Sequence, residues 1–147
     1  MVNDRADYAR LLQADLHLGQ DDLLPADARG MIGDEAMIGF STHNSDQMRA
    51  AASEPVDYMA FGPVFTTASK ERPDPTVGIA GLRTVRELTQ KPLVAIGGIT
   101  RDNAALCWSA GADSVAIIAD ILPNPCSPRA LRDRMEEWLR LSNPALN

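Results

Sequence analysis

The sequence predicts an α/β domain of repeated strand–helix units whose functional residues gather at the carboxyl ends of the strands. Three observations carry this. Short β-like runs alternate with helical segments along the 147 residues, with strand starts about 20 residues apart except for one gap of about 35. The run Leu93-Val94-Ala95-Ile96 is apolar on both faces, as a strand covered by helices should be. Glycines and polar residues cluster just after the strands, whereas the residues before them are plain.

Taken in order, strands are expected over 16–19, 36–40, 57–61, 93–96 and 114–118. Helices are expected over 6–12, 25–32, 45–53, 79–89 and 102–110, with a last one over 128–141. Gly111 sits where a left-handed cap would stop the fifth helix. Ser127-Pro128 supplies an N-cap and a first-turn proline for the last helix, on which Leu131, Met135, Trp138 and Leu139 share a face. A small apolar residue followed by aspartate precedes three strands, as Ala14-Asp15, Val56-Asp57 and Ala112-Asp113, and reads as a strand-entry turn.

Past the strands come Gly19-Gln20-Asp21-Asp22, Ser41-Thr42-His43, Gly62-Pro63, Gly97-Gly98-Ile99 and Ala119-Asp120. A (β/α)8 barrel builds its site from the loops on that face. A doubly wound open sheet also binds ligands at the carboxyl ends of its strands. Periodicity alone leaves both architectures open.

Composition narrows the function classes. A chain with 45% apolar residues suits one domain with a real core, spanning residues 1–147. Net charge is −6 and the basic residues are scattered, so nucleic acid is not an expected partner. No apolar run approaches the roughly 18–20 residues of a membrane span, and the first residues carry no signal-peptide pattern. Cys107 and Cys126 form no CxxC pair and read as reduced thiols of a cytoplasmic protein. His17 and His43 lack a third ligand at metal spacing, and neither is assigned chemistry.

Five segments together resemble the thiamine-phosphate synthase family, in its order and near its spacing. They are Val2-Asn3-Asp4-Arg5, His17-Leu18-Gly19-Gln20-Asp21-Asp22-Leu23, Gly39-Phe40-Ser41-Thr42-His43, Gly62-Pro63-Val64-Phe65 through Lys70, and Ala95-Ile96-Gly97-Gly98-Ile99-Thr100. The resemblance implies a (β/α)8 barrel, thiamine biosynthesis, and a transferase. That enzyme couples hydroxymethylpyrimidine pyrophosphate to thiazole phosphate, with Mg²⁺ and release of pyrophosphate. By motif, Asp4 and Asp22 match the Mg²⁺ aspartates, and Mg²⁺ suits one or two carboxylates plus phosphate oxygens and water. Lys70 matches a lysine that engages pyrophosphate at the end of a mobile loop, and with Ser41 it is a catalytic candidate. Asn3 and Ser41 match residues beside the pyrophosphate and pyrimidine. Thr67, Ser69, Gly98, Ile118 and Ala119 match the thiazole-phosphate side, where Gly98 would let amides approach a phosphate.

Each residue also has a plainer reading. Asp4 and Asp22 taken singly would be helix N-caps, Lys70 beside Glu71 and Arg72 solvated loop charge, and Gly97-Gly98 a tight turn. The sequence also departs from the family pattern. Ala119 stands where serine is usual, Asp21 where glutamate is, and Ser69 where threonine is; the segment before His17 is one residue shorter. If Asn3-Asp4 ends the third strand, the chain holds about strands three (its end) to eight. The family's Gln/Arg/Lys pyrophosphate grip on the second strand then has no counterpart. On that expectation the chain alone is incomplete for catalysis and associates through exposed barrel edges. The alternative is an inactive barrel remnant that binds phosphate or other chains. A thiazole tautomerase is disfavoured by Gln20-Asp21-Asp22 and the 66–70 segment.

Overall fold

The computed structural model describes residues 1–67 and 74–142. Six strands alternate with helices: β1 (Val2–Asn3), α1 (Ala6–Leu12), β2 (Leu16–Leu18), α2 (Pro25–Ile32), β3 (Ile38–Thr42), α3 (Ser45–Ala52), β4 (Tyr58–Phe61), α4 (Gly78–Arg86), β5 (Leu93–Ile96), α5 (Ala104–Ser109), β6 (Ser114–Ala116) and α6 (Pro128–Ser142). A 3-10 turn at Ala119–Ile121 follows β6. Every pair is parallel and the strand order is β1-β2-β3-β4-β5-β6. A doubly wound sheet reverses its order at a switch point. This sheet never does, so the chain forms an arc of barrel type and the choice left open by periodicity is made.

Register assigns each side chain to a face. Leu18, Phe40, Met59 and Leu93 lie in one row across four strands, as do Thr42, Phe61, Ala95 and Val115. These rows point outward and meet Ala9, Ala28, Met48, Leu82, Val85, Ala104 and Cys107 of the helices. Leu16, Leu18, Ile38, Met59 and Leu93 are fully buried there. Each is worth about 1.5–3 kcal/mol over leaving it exposed, so a one-residue slip of any strand is strongly disfavoured. The opposite rows face the inside of the arc: Asn3, His17, Gly39 and Tyr58 in one, Ser41, Ala60, Val94 and Ser114 in the next.

The aspartate repeat closes the amino-terminal rim. Asp15, Asp57 and Asp113 each accept an N–H at the start of the neighbouring strand, from Met37 (2.9 Å), Ile38 (2.7 Å) and Leu93 (2.8 Å). Arg29 and Arg86, in the last turns of α2 and α4, then pair with Asp57 (2.6 Å) and Asp113 (2.8 Å) while donating to nearby carbonyls. Burial pushes the Asp57 carboxyl up, but the Ile38 N–H, Arg29 and Lys91 outweigh it and hold it below the ordinary value. This rim is built for stability.

Most helix punctuation follows the sequence. Gly111 has φ +99 and ends α5, and Ser127 Oγ accepts the Ala130 N–H at 3.1 Å. Two expectations shift. The third strand runs to Thr42, not residue 40, because Ser41 and Thr42 still pair with Ala60 and Phe61 and the buried Thr42 hydroxyl donates to Ala60 O at 2.9 Å. The last strand ends at Ala116, which puts Ile118 in the loop beyond it. Among the described residues, no helix is long and apolar enough to cross a membrane.

Candidate active site

A cavity of about 460 Å³ opens at the carboxyl ends of β3 to β6. Ser41 and His43 line it from the β3 end, Gly62, Pro63, Thr66 and Thr67 from the β4 end, and Ile96 to Thr100 from the β5 end. Ala116, Ile118 and Ala119 close it from the β6 end, with Asp74 on the loop leading to α4. Five residues singled out in the sequence therefore share one cavity: Ser41, Thr67, Gly98, Ile118 and Ala119. Ser69 and Lys70 lie outside the described residues.

The Gly97-Gly98 turn is built by close packing. Both residues have positive φ, +94 and +64. A Cβ on Gly98 would stand 2.4 Å from Thr66 O, and one on Gly97 would stand 2.4 Å from Pro63 Cβ. The glycines thus admit the loop after β4, a reason beyond the phosphate approach expected from the sequence. The turn's carbonyls all accept: Val64 N–H donates to Ile96 O (2.8 Å), Phe65 N–H to Gly97 O (3.0 Å) and Asn103 Nδ2 to Gly98 O (3.0 Å). Asn103 Oδ1 in turn accepts the Thr100 N–H at 2.8 Å.

Behind the turn, Arg101 donates to Asp120 Oδ2 at 3.0 Å and also pairs with Glu137. Arg134 meets Glu137 at 3.2 Å and Asp120 at 3.8 Å. These charges tie the Gly98 loop and the 3-10 turn to α6. Asp120, one of the polar residues after the strands, is thereby part of the scaffold.

Asp4 and Asp22 come together past the carboxyl ends of β1 and β2, the strands next to those that line this cavity. Asp4 has φ +64, a left-handed conformation that aspartate tolerates better than most residues, and its carboxyl is in hydrogen-bonding contact with that of Asp22. Burial pushes the Asp4 carboxyl above the ordinary value, and the Asp22 hydrogen bond and charge add to this, against Asn3 and His17. Asn3 Nδ2 donates to Asp4 Oδ1 at 2.6 Å, and Asp22 Oδ2 accepts the Gly19 N–H at 2.6 Å. Neither aspartate is a helix cap: Arg5 and Leu24 hold those positions, with no side-chain cap bond. Two adjacent hard carboxylates, one held against its charge, match the share of ligands that Mg²⁺ takes from protein. No cluster of three or more histidine, cysteine or acidic residues that would cage a metal occurs among the described residues.

Between the aspartates and the cavity stands His17. Its Nδ1 lies 2.8 Å from Tyr58 Oη and its Nε2 lies 2.8 Å from Ser41 Oγ. The two rings stack at 5.6 Å, and Tyr58 reaches His17 across Gly39, where a Cβ would fall 2.0 Å from Tyr58 Cζ. Gln20 Nε2 donates to Ser41 O at 2.6 Å. Burial pushes the His17 imidazole down, against the pull of Asp4 and Asp22. His43 contacts Gly62 O through Nδ1 at 2.6 Å and lies 3.7 Å from Asp74. Tyr58, Asn103 and Asp74 were not singled out in the sequence, and Gln20 stood there only as part of a motif with no role of its own. Only the shared register of Asn3, His17, Gly39 and Tyr58 could have signalled the first.

Comparison with known proteins agrees with this geometry. A family model described as thiamine monophosphate synthase matches residues 1–121. The thiamine-phosphate synthase of Koribacter versatilis is 51% identical over 142 residues, which cover 96% of this chain and 64% of that protein. The thiamine-phosphate synthase of Chlorobium phaeovibrioides is 42% identical over 146 residues, covering 96% and 69%. Among solved structures, thiamine phosphate pyrophosphorylase from Pyrococcus furiosus superposes with a TM-score of 0.78 at 28% identity, covering 99% of this chain and 68% of that one. The chain spans roughly three fifths to two thirds of the length of these curated relatives.

Proposed function

The chain belongs to the thiamine monophosphate synthase family, and from that membership we propose that its site serves thiamine-phosphate synthesis. In that reaction the thiazole nitrogen bonds to the pyrimidine methylene carbon as the carbon–oxygen bond to pyrophosphate breaks. On this reading β1 to β6 are the end of the third family strand and strands four to eight. The sequential, unreversed strand order supports that placement.

One observation carries the reading. Residues matched to the thiazole-phosphate and pyrimidine sides, from Ser41 on β3 to Ala119 past β6, line a single cavity, and the Asp4–Asp22 pair lies past the ends of the neighbouring strands β1 and β2. Asp4 and Asp22 would hold Mg²⁺, which when bound neutralises charge on the departing pyrophosphate. Asn3 fixes the Asp4 carboxyl for that duty and also faces the pyrophosphate. Gly98, Ile118, Ala119 and Thr67 receive the thiazole phosphate, with Ser69. The apolar walls from Ile96, Ile99 and Ile118 keep water from a cation-like pyrimidine. Lys70 supplies the point charge toward pyrophosphate.

The test is synthesis of thiamine phosphate by this chain completed with the residues by which the Koribacter relative exceeds it. Mg²⁺-dependent product is expected, reduced about 100-fold or more by Asp22→Ala. Absence of product, while the relative itself makes it under the same conditions, would overturn the reading. Product indifferent to Asp22→Ala would overturn the metal assignment.

A further inference from the structure

The hydrogen-bond chain through His17 has a direction that determines what Ser41 offers to a ligand. Its members are Met1 Sδ, Tyr58 Oη, His17 Nδ1 and Nε2, and Ser41 Oγ. A thioether can only accept, so Met1 Sδ, 3.1 Å from Tyr58 Oη, gives the phenol proton a partner and lets the Tyr58 oxygen accept from His17 Nδ1 at 2.8 Å. A neutral imidazole has one N–H, and with that proton on Nδ1 its Nε2 can only accept. The partner of Nε2 is Ser41 Oγ at 2.8 Å, which must then donate. In this arrangement every hydrogen of the chain has a partner. The opposite polarity would leave the Ser41 hydroxyl proton unpaired in a half-buried site, which costs free energy.

We propose that His17 is a positioning residue: held by Tyr58 as the Nδ1–H tautomer, it accepts the hydrogen bond of the Ser41 hydroxyl through Nε2 and leaves the Ser41 Oγ lone pairs as a hydrogen-bond acceptor toward the cavity. The backbone of Ser41 is held as well, because Gln20 Nε2 donates to its carbonyl at 2.6 Å. A side chain tied at both its hydroxyl and its carbonyl meets a ligand without first being ordered. The site therefore selects a ring that presents an N–H or NH₂ donor at this point and rejects one that presents a bare ring nitrogen or a carbonyl. A buried acceptor facing an acceptor is the costlier mismatch. Gly39 is required by the same device, since the Tyr58 ring occupies the space of its missing Cβ.

The ligand's identity as an aminopyrimidine rests on the synthase reading, whereas the direction of the chain does not. The experiment separates them, using the 147-residue chain labelled with ¹⁵N. Long-range ¹H–¹⁵N correlation reads the His17 tautomer directly. The Nδ1–H form is expected, converting toward Nε2–H in Tyr58→Phe; an Nε2–H form or an imidazolium in the unsubstituted chain overturns the proposal. Binding of 4-amino-5-hydroxymethyl-2-methylpyrimidine is then measured against its 4-oxo counterpart. Glutamine reproduces the Nε2 position of histidine and asparagine the Nδ1 position. His17→Gln should therefore keep the affinity within about 2-fold, while His17→Asn and Ser41→Ala each lose about 10-fold. The double variant should lose no more than either single one, because His17 acts through Ser41. Equal affinity of His17→Asn and the unsubstituted chain, or additive losses, overturns the positioning role. Failure of both pyrimidines to bind counts against the synthase reading, and the tautomer measurement still decides the polarity.

Discussion

The carboxyls of Asp4 and Asp22 meet in a hydrogen-bonding contact, one leaving β1 at a left-handed residue and the other standing three residues past the Gly19 amide that it accepts from. Burial and the neighbouring carboxyl both disfavour the ionised form of Asp4. An acid whose folded value is raised binds more protons in the fold than in the unfolded chain between the two values. Stability therefore falls as pH rises through the window just above the ordinary carboxylate value of 3.8.

Asp4→Asn removes that penalty, and asparagine accepts a left-handed φ readily. At neutral pH the melting temperature of the variant is expected to rise by about 2 °C. Mn²⁺, used as a paramagnetic stand-in for Mg²⁺, should at the same time lose affinity for the site. Scanning calorimetry and water-proton relaxation measure the two effects. A lower melting temperature with metal affinity intact would contradict the assignment of Asp4 as a strained ligand.

Two glycines should respond in opposite directions. Gly98→Ala forces a Cβ to within 2.4 Å of Thr66 O at φ +64, and a loss of about 1–3 kcal/mol is expected in urea unfolding. Gly30→Ala lies inside α2 with nothing within 4 Å of the added carbon, and a gain of about 0.5–1 kcal/mol is expected. Equal effects would mean that the Gly98 loop is not packed as described.

The amino-terminal rim predicts an acid-sensitive term. Asp57 has a depressed folded value, so the stability it contributes is present above the ordinary carboxylate value and lost as pH falls through the folded one. Asp57→Ala removes the acceptor of the Ile38 N–H and the charged partner of Arg29, which keeps its carbonyl acceptors, and should cost about 2 kcal/mol at pH 7. The gap between variant and unsubstituted chain should narrow below pH 3.8, as followed by denaturant midpoints across pH. A gap that is constant with pH would show that packing, not the carboxylate, is responsible.

Much of this was legible in the sequence because it rests on local chemistry. Strand–helix alternation, the Gly111 and Ser127 caps and the repeated aspartates of the entry rim each follow from a residue and its near neighbours. What was not legible depends on register. Whether the sheet reverses cannot be read from periods of apolar residues. The strand carrying Ser41 continues past Phe40 because its partners Ala60 and Phe61 lie on β4, about twenty residues away. Tyr58 looks like an ordinary strand aromatic until the pairing sets it opposite Gly39 and beside His17. Asp4 and Asp22 satisfy the composition rule for helix caps, yet the contact between them is tertiary and only the family motif pointed to it.

The central claim is that the cavity around Gly98 is a phosphate-bearing ligand site, and the most direct measurement is a titration of the ¹⁵N-labelled chain with thiazole phosphate. Saturable amide shifts are expected for Gly97, Gly98, Ile99 and Thr100, for Ile118 and Ala119, and for Thr66 and Thr67. Shifts should be small along the Asp15–Asp57–Asp113 rim. Shifts confined to that rim, or none up to millimolar ligand, would contradict the account.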